Sequence, residues 1–414
     1  MPEAKQERYP KRIPTMTRIV SFSLLLALLI VLLPYRAFAA CWDDLQIKPL
    51  EILTWNTAQK LCGYENMEHL WSSNVVSRSS APAKELPRGD SFANRSGEVR
   101  AFMQTNGVNA LLVIQNGAIQ VEEYLGSMDA KSRWTSFSMA KSLTGLLVGA
   151  AVADGHIQSL DDPVSNYLPE LKKGAYADVT VRQVLTMTSG AAWNENYRDP
   201  ESDVAKLADL ANGDEKSFLA YMAARKRAAK PGTRFNYSTG EAGIIGHMVR
   251  RATGKTLSAY MSEKIWAKLG MERDAIWITD KTGSEISGCC FSATLRDYGR
   301  MGLFMLQNGR IGNEAVLPKS WMKEAAKASA PSREQHRPYG YQIWVRDSGS
   351  YQASGIFGQM IHVDPSRNLV IVMLSAWENA TGTGKLHKER SAFISAVRKE
   401  VDGRAVKSVK KSKR

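Results

Sequence analysis

The sequence predicts a mixed α/β (α+β) fold in which an antiparallel sheet is flanked by helices and split in sequence by an inserted all-α lobe. Strand-like patterns lie far apart, at residues 108–125 and 341–376, and the chain between them is mostly helical in pattern. A further helix is predicted at about residues 385–401. This order indicates a helical lobe inserted into an α/β domain, with the functional site in the cleft between the two.

The earlier strand pattern is a predicted β-hairpin. Residues 108–114 and 118–125 are rich in aliphatic and β-branched residues, and Asn116-Gly117 lies between them. That dipeptide favours the two-residue turn that joins antiparallel strands. Three later strands are predicted at residues 341–346, 358–364 and 369–376, with a turn at 364–368 between the last two.

The middle of the chain shows apolar residues at helical spacing. Loops rich in Gly, Asn, Asp and Pro, notably 189–200 and 230–236, separate the segments. The predicted helices cover residues 141–153, 181–185, 203–211, 216–224, 241–253 and 257–269.

The first 39 residues have the pattern of an export signal. A basic start precedes a 15-residue apolar run at 19–33 and the sequence Ala37-Phe38-Ala39. Because a membrane span needs about 20 apolar residues, cleavage after Ala39 is favoured over an uncleaved anchor. We therefore expect a periplasmic or secreted protein, with lipid attachment at Cys41 as an alternative.

The rest of the chain divides into three predicted regions. An N-terminal extension (40–95) precedes the main domain (96–402, with the helical lobe at about 150–285), and a basic, disordered tail (403–414) follows. The net charge of +14 comes mostly from the signal (+4) and the tail (+6). A nucleic-acid partner is therefore not expected, although the tail is suited to contact an acidic envelope surface.

Four cysteines form two pairs with different expectations. Cys41 and Cys62 are candidates for a disulfide in an oxidising compartment. Cys289 and Cys290 are adjacent, and because a bond between neighbours is strained, we expect two partly buried thiols there. The six histidines lack ligand spacing, so neither a metal nor another cofactor is implied.

The candidate nucleophile is Ser138, in the sequence Ser138-Met139-Ala140-Lys141. On a helix, residues three apart are neighbours, so the lysine amine lies beside the hydroxyl as a candidate base. The same spelling recurs at Ser320 and Ser408, but the former resembles a helix cap and the latter lies in the lysine-rich tail. Only Ser138 precedes a buried helix, whose first turn suits an oxyanion.

A second proton carrier is expected, because a lysine acts as a base near neutral pH only when its pKa is lowered. Tyr237, in the loop-to-helix sequence Phe235-Asn236-Tyr237-Ser238, is the candidate. A phenol beside a catalytic ammonium group could ionise and pass protons between the nucleophile and the leaving group; the alternative is a tyrosine that packs a loop.

With these motifs in order, residues 96–400 resemble the class C β-lactamases, D-alanyl-D-alanine carboxypeptidases, related esterases and 6-aminohexanoate-dimer hydrolases. Further motifs that support the resemblance are Leu160-Asp161-Asp162-Pro163, Leu185-Thr186-Met187-Thr188-Ser189-Gly190, Gly288-Cys289-Cys290-Phe291-Ser292 and Gly355-Ile356-Phe357-Gly358.

The resemblance implies a role for each candidate site residue. Ser138 would form an acyl-enzyme, Lys141 and Tyr237 would shuttle protons, and the backbone N–H groups of Ser138 and Ile356 would form the oxyanion hole. The implied substrate-binding residues are Tyr197, Trp193, Gly355 and Cys289, of which Tyr197 matches a tyrosine that contacts the substrate amide in 6-aminohexanoate-dimer hydrolases. An aromatic loop packed on the lobe is the alternative for Trp193 and Tyr197.

Two departures bear on the substrate. β-Lactamases of this type carry Tyr-x-Asn and a strand Lys-Thr-Gly, where this chain has Thr239 and Ala353-Ser354-Gly355. The sequence Lys281-Thr282-Gly283 does occur, but far before the C-terminal strands, and we expect it to form a surface turn. We therefore expect an exported serine hydrolase of small amides or esters, close to the 6-aminohexanoate-dimer hydrolase and esterase branch. The alternatives are a β-lactamase or D-alanyl-D-alanine carboxypeptidase, and a non-catalytic envelope binding or sensor domain.

Overall fold

The computed structural model describes residues 41–42, 45, 51–89, 96–210, 213–327, 329, 338–346 and 349–412. The predicted export signal lies outside these residues. The described residues from 51 onward belong to one compact unit, and residues 41, 42 and 45 belong to another. None of the described helices is both long and apolar enough to cross a membrane.

The main sheet is antiparallel and brings together segments from both halves of the chain. Its strands are β2 (Val108–Gln115), β3 (Ala118–Tyr124), β9 (Trp344–Val345), β10 (Tyr351–Ser354), β11 (Met360–Asp364) and β12 (Leu369–Ser375). Their order is β3-β2-β12-β11-β10-β9. Because β12 pairs with β2, from Leu369↔Gln115 to Ser375↔Val108, the predicted antiparallel sheet split in sequence is confirmed.

The hairpin prediction is also confirmed. β2 and β3 pair around Asn116-Gly117, with Gln115 opposite Ala118. Asn116 has φ +53° and Gly117 has φ +78°, and two consecutive positive φ values characterise the type I′ turn that Asn-Gly favours.

Helices cover both faces of this sheet. On one face, α3 (Ser96–Thr105) and α12 (Gly384–Ser412) bury Met103 and Val397 in a cluster with Leu111 and Ile371. On the other face, α10 (Leu295–Leu306) approaches through two glycines. A Cβ at Gly299 would lie 2.6 Å from Leu112 Cδ2, and one at Gly302 would lie 2.4 Å from Val370 Cγ1.

A second, four-stranded antiparallel sheet has the order β1-β5-β6-β4. Its strands are β1 (Ser73–Val76), β4 (Arg133–Thr135), β5 (Ala275–Ile278) and β6 (Phe291–Thr294), and a separate two-stranded ribbon comprises β7 (Arg310–Ile311) and β8 (Glu314–Ala315). We did not predict this second sheet. It draws its short strands from the N-terminal extension, from the approach to Ser138 and from the end of the helical region.

Most of the remaining helices lie between β4 and β5 in sequence. They are α1 (Thr57–Glu65), α2 (Met67–Leu70), α4 (Met139–Ala153), α5 (Val181–Leu185), α6 (Asp203–Leu210), α7 (Glu215–Ala223), α8 (Thr239–Thr253), α9 (Leu257–Met261) and α11 (Trp321–Ala325). Short 3-10 turns cover Glu51–Leu53, Val164–Asn166, Pro169–Lys172, Gly174–Tyr176, Ile356–Gly358 and Pro365–Arg367. In α4, all residues from Met139 to Ala151 are buried, which explains its almost wholly apolar sequence.

The structure differs from three sequence predictions. The predicted strand at 341–346 is reduced to the two residues of β9, because Gln342 has positive φ and cannot continue a strand. The predicted helix at 257–269 ends as an α-helix at Met261 and continues as a π turn, Ser262–Trp266. The closing helix α12 extends to Ser412, into the tail that we expected to be disordered; apart from Gly403, that stretch holds no strong helix breaker.

The N-terminal extension is attached to the end of the main sheet through Lys60 of α1. This buried side chain donates hydrogen bonds to the carbonyl oxygens of Trp377 (2.9 Å) and Glu378 (2.6 Å). Its Nζ also lies 4.7 Å from the centroid of the Phe357 ring. The pKa of Lys60 is lowered by burial, against an opposing effect of Glu378.

The close approach of α10 to the sheet gives a stability prediction. Gly302→Ala would place a methyl group 2.4 Å from Val370 Cγ1, and such overpacking is expected to lower the free energy of unfolding by about 1–3 kcal/mol. The matched control is Gly97→Ala in α3, where a Cβ meets nothing within 4 Å. There we expect no loss, or a gain of up to about 1 kcal/mol. Urea denaturation of both variants provides the measurement, and equal stabilities would contradict this account of the packing.

Candidate active site

The second sheet positions Ser138. The residue after β4, Ser136, donates its N–H to the Phe291 carbonyl at 2.7 Å, and the Phe291 N–H donates to Ser136 Oγ at 3.0 Å. Phe137 then adopts φ +44°, an uncommon conformation for a bulky residue, and Ser138 follows at the N-cap of α4. The half-buried Ser138 thus lies at the positive end of a buried helix.

Lys141 lies one turn further along α4. Its Nζ is 2.9 Å from Ser138 Oγ and donates a hydrogen bond to the Gly288 carbonyl at 2.8 Å. The side chain is only 1% exposed, and this burial lowers the pKa of Lys141 to about 8, against an opposing effect of Glu195. A substantial fraction of the amine is therefore neutral near pH 8, and its lone pair is then available to the Ser138 proton.

Tyr237 lies on the other side of this pair, in the loop that enters α8. Lys141 Nζ is 5.2 Å from the centroid of the Tyr237 ring, and the Trp344 ring is stacked on Tyr237 at 5.6 Å between centroids. Burial and then the Glu195 carboxylate raise the pKa of Tyr237 above its ordinary range, while a hydrogen bond with Ser138 acts to lower it. A raised pKa favours the protonated phenol, so Tyr237 is suited to donate a proton; its role as a proton carrier stays a prediction.

A carboxylate that we did not predict organises the loop beside these residues. Glu195 accepts hydrogen bonds at Oε1 from the hydroxyls of Tyr197 (2.7 Å) and Thr239, and at Oε2 from Trp193 Nε1 (2.5 Å) and the Thr239 N–H (2.9 Å). Glu195 thereby joins the loop at 193–199 to the first turn of α8. Its position between two aromatic candidates was visible in the sequence, but nothing in the pattern distinguished it from other loop acids.

The segment after β10 lies against the nucleophile loop. A Cβ at Gly355 would be 2.3 Å from the Ser136 carbonyl oxygen, so only glycine permits this approach. Ile356 follows, and it borders the same cavity as Ser138. Within the part of the chain that the structure describes, the backbone N–H groups of Ser138 and Ile356 have no protein acceptor. Such a pair of N–H groups is suited to bind an oxyanion.

Three packed rings connect these two N–H groups with the N-terminal extension. The ring of Tyr64, in α1, lies 5.0 Å from Phe137 and 5.8 Å from Phe357, and the two phenylalanine rings are 5.2 Å apart. Phe137 directly precedes Ser138, and Phe357 directly follows Ile356. We call these three residues the aromatic triad.

A cavity of about 630 Å³ opens beside Ser138 and Lys141. This volume is typical of small-molecule sites. Of the predicted substrate-binding residues, Tyr197 and Cys289 border the cavity. Trp193 instead supports the site, since its indole donates to Glu195 and a Cβ at Gly240 would lie 2.6 Å from its ring.

Cys289 and Cys290, at the cavity wall, form a disulfide, which corrects our expectation of two free thiols. Cys290 has φ +69°, and the two Cα atoms are 3.7 Å apart. We expected thiols because a bond between neighbours is strained; here the bond occurs with Cys290 in a left-handed backbone conformation. The Cys41 to Cys62 pairing stays an expectation.

Two other segments match these short motifs, Ser320-x-x-Lys323 and Lys281-Thr282-Gly283, but their surroundings differ from those of Ser138. Ser320 precedes α11 with φ +68° and makes no side-chain cap bond, contrary to the cap that we expected, and Lys323 is exposed. Lys281-Thr282-Gly283 forms an exposed turn in which Asp280 accepts the N–H groups of Thr282 (2.8 Å) and Ser284 (2.9 Å). Burial of the lysine therefore distinguishes Ser138-x-x-Lys141 from Ser320-x-x-Lys323.

Known proteins share this sequence pattern and fold. The chain is 28% identical over 360 residues to the 6-aminohexanoate-dimer hydrolase of Paenarthrobacter ureafaciens, covering 82% of this chain and 91% of that protein. It is 32% identical over 142 residues to Esterase EstB of Burkholderia gladioli, covering 32% of this chain and 36% of the esterase.

Among solved structures, a candidate 6-aminohexanoate-dimer hydrolase from Bacillus anthracis superposes with a TM-score of 0.73 at 24% identity, covering 83% of this chain and 94% of that one. A family VIII carboxylesterase superposes with a TM-score of 0.59 at 17% identity, covering 75% and 99%. At these identities the two structures establish the shared fold. The sequence itself matches the Beta-lactamase family over residues 97–394, most of the chain, and the protein therefore belongs to the β-lactamase family of hydrolases.

Proposed function

We propose that this protein is an exported serine hydrolase that cleaves small amides or esters through an acyl-Ser138 intermediate. The observation that carries the proposal is the buried Lys141 amine, 2.9 Å from the Ser138 hydroxyl oxygen at the edge of a cavity. A hydroxyl needs an adjacent base to act as a nucleophile, and burial provides that base by lowering the pKa of the lysine.

In the first step, neutral Lys141 accepts the Ser138 proton as Ser138 Oγ forms a bond to the substrate carbonyl carbon. One amine hydrogen stays bonded to the Gly288 carbonyl, which directs the lone pair to Ser138. The carbonyl oxygen becomes an oxyanion that accepts hydrogen bonds from the backbone N–H groups of Ser138 and Ile356.

In the second step, the bond to the leaving nitrogen or oxygen breaks, and that atom needs a proton. Neutral Tyr237 supplies it and regains a proton from the Lys141 ammonium, so the charges balance. Water then attacks the acyl-serine by the reverse sequence, with Lys141 again as the proton acceptor. The raised pKa of Tyr237 suits this role of donor, because the phenol enters the reaction with its proton.

The proposed substrates are amides or esters other than β-lactams. The strand residue where a β-lactamase carries a lysine is Ala353, which is buried in β10. Thr239, in place of the asparagine, uses its hydroxyl to hold Glu195. The similarity to a 6-aminohexanoate-dimer hydrolase and an esterase supports this substrate range. The proposed export rests on the sequence of residues 1–39.

We predict that Ser138→Ala abolishes turnover of amide and p-nitrophenyl ester panels, and that Lys141→Ala lowers it by several powers of ten. Ser320→Ala, in the same short motif with an exposed lysine, is the matched control and should keep full activity. Intact mass after incubation with substrate reports the acyl group on Ser138. Full activity of Ser138→Ala would refute the proposal, while covalent labelling by a fluorescent penicillin would favour the β-lactamase alternative.

We predict that kcat/KM rises with pH through an inflection near pH 8, since Lys141 must lose its proton to act as the base and its pKa is about 8. Steady-state rates with an ester whose leaving group does not titrate in this range check the prediction. A profile that is flat across this range, or that falls with rising pH, would contradict the role of Lys141.

We predict that Glu195→Gln moves this inflection to lower pH. The Glu195 carboxylate favours the charged form of Lys141 and so raises its pKa, and removal of the negative charge therefore lowers that pKa. The control is Glu201→Gln in the following loop, an exposed residue paired with Lys206 at 3.1 Å, which should leave the inflection in place. Because the readout is the position of the inflection, a general loss of activity does not imitate the effect. An inflection that stays fixed would exclude electrostatic coupling between Glu195 and Lys141.

A further inference from the structure

The cavity beside Ser138 has an apolar wall that comes from the N-terminal extension. The large side chains that this segment contributes are Ile52, Leu53, Met67, Leu70 and Trp71. Leu53, Leu70 and Trp71 are only half-buried, although each borders the cavity. These side chains therefore present apolar surface to an open space beside the candidate nucleophile, rather than to a closed core.

The other residues that border the cavity are also mostly apolar. Helix α6 contributes Val204 and Leu207, and the second sheet and its connections contribute Ile278 and Ile286. Apart from Lys141, the charged side chains that border the cavity are Asp280 and Lys281 among the described residues. Both belong to the turn after β5, where Lys281 is exposed and Asp280 accepts two backbone N–H groups of its own turn.

The position of the proton donor indicates which part of a substrate enters this cavity. Ser138 and Lys141 border it, whereas the Tyr237 ring is stacked on Trp344 at 5.6 Å. In the proposed reaction Tyr237 protonates the leaving group, which must then lie toward Tyr237 and Trp344. The acyl group, bonded to Ser138 Oγ, is left to occupy the apolar cavity.

We infer that the protein selects substrates with an uncharged aliphatic acyl group longer than acetyl, and that Leu53, Leu70 and Trp71 of the N-terminal extension determine this selection. The inference rests on the proposed function, since it concerns the acyl group carried by Ser138. A charge at the far end of the chain would lie against the apolar side chains of the extension, which is unfavourable. Each methylene that enters the cavity is expected to raise kcat/KM roughly fourfold.

The test uses p-nitrophenyl esters of acetyl, butanoyl, hexanoyl and 6-aminohexanoyl groups, which share one leaving group. For the wild-type protein, kcat/KM should rise along the three uncharged acyl groups and fall by at least tenfold from hexanoyl to 6-aminohexanoyl. Leu70→Asp, which places a carboxylate in the wall, should flatten the rise and reverse the preference between the last two esters. The matched control is Val75→Asp, at a 51% exposed apolar residue of β1 in the same extension, which should keep the wild-type order.

The outcomes separate this inference from the proposed function. Intact mass with the acetyl ester first establishes whether Ser138 is acylated at all. If Ser138 is acylated but kcat/KM is equal for all acyl lengths, or if the wild-type protein prefers the 6-aminohexanoyl ester, the inference is wrong and the hydrolase proposal stands. If no ester acylates Ser138, the proposed function itself fails. Reversal by Leu70→Asp cannot result from misfolding, because a misfolded variant loses both activities together.

Discussion

The burial of Lys141 beside Ser138 is the constraint on which the arrangement of the site depends. An amine in an apolar helix interior needs polar partners, and three separate segments provide them: Ser138 from the same helix, the Gly288 carbonyl before β6, and the Glu195 charge from the lobe. Burial lowers the pKa of Lys141 from 10.5 to about 8. Below about pH 8 the folded protein is therefore less stable than it would be if Lys141 kept a pKa of 10.5. The difference is on the order of 3 kcal/mol, and it is regained as the pH rises from about 8 toward 10.5.

The two halves of the structure contribute different chemistry to this centre. The sheets hold backbone groups in place, since β4 and β6 position the loop before Ser138 and the end of β10 brings Ile356 beside it. The helical lobe supplies side chains that titrate or donate, with Tyr237 and Glu195 both attached to the first turn of α8. The electrostatic attraction between Glu195, in the lobe, and Lys141, in α4, therefore couples the lobe to the main domain.

Short sequence patterns correctly predicted the features whose conformation depends on residues close together in the chain. Asn116-Gly117 specified a turn with two positive φ values, and the spacing of Ser138 and Lys141 placed both on one helix face. The second sheet was not predictable in this way, because its strands have three or four residues each and their pairing is decided only by tertiary contacts. Glu195 was missed for a related reason: its importance comes from four hydrogen-bond donors that converge in space, and only Tyr197 and Trp193 are its neighbours in sequence. The Cys289–Cys290 bond depended on a left-handed backbone at Cys290, which the residue type does not reveal.

The aromatic triad extends the surroundings of the candidate site beyond the region that matches the family model. The family match starts at residue 97, yet Tyr64 packs against both Phe137 and Phe357, the residues adjacent to the two N–H groups suited to an oxyanion. A helix that precedes the matched region thus packs against both of the residues adjacent to those N–H groups. A chain trimmed to residues 97–394 would keep Ser138, Lys141 and Tyr237 but lose the Tyr64 ring that packs against Phe137 and Phe357. The structural surroundings of the two N–H groups therefore extend into the N-terminal extension, ahead of the region that matches the family model.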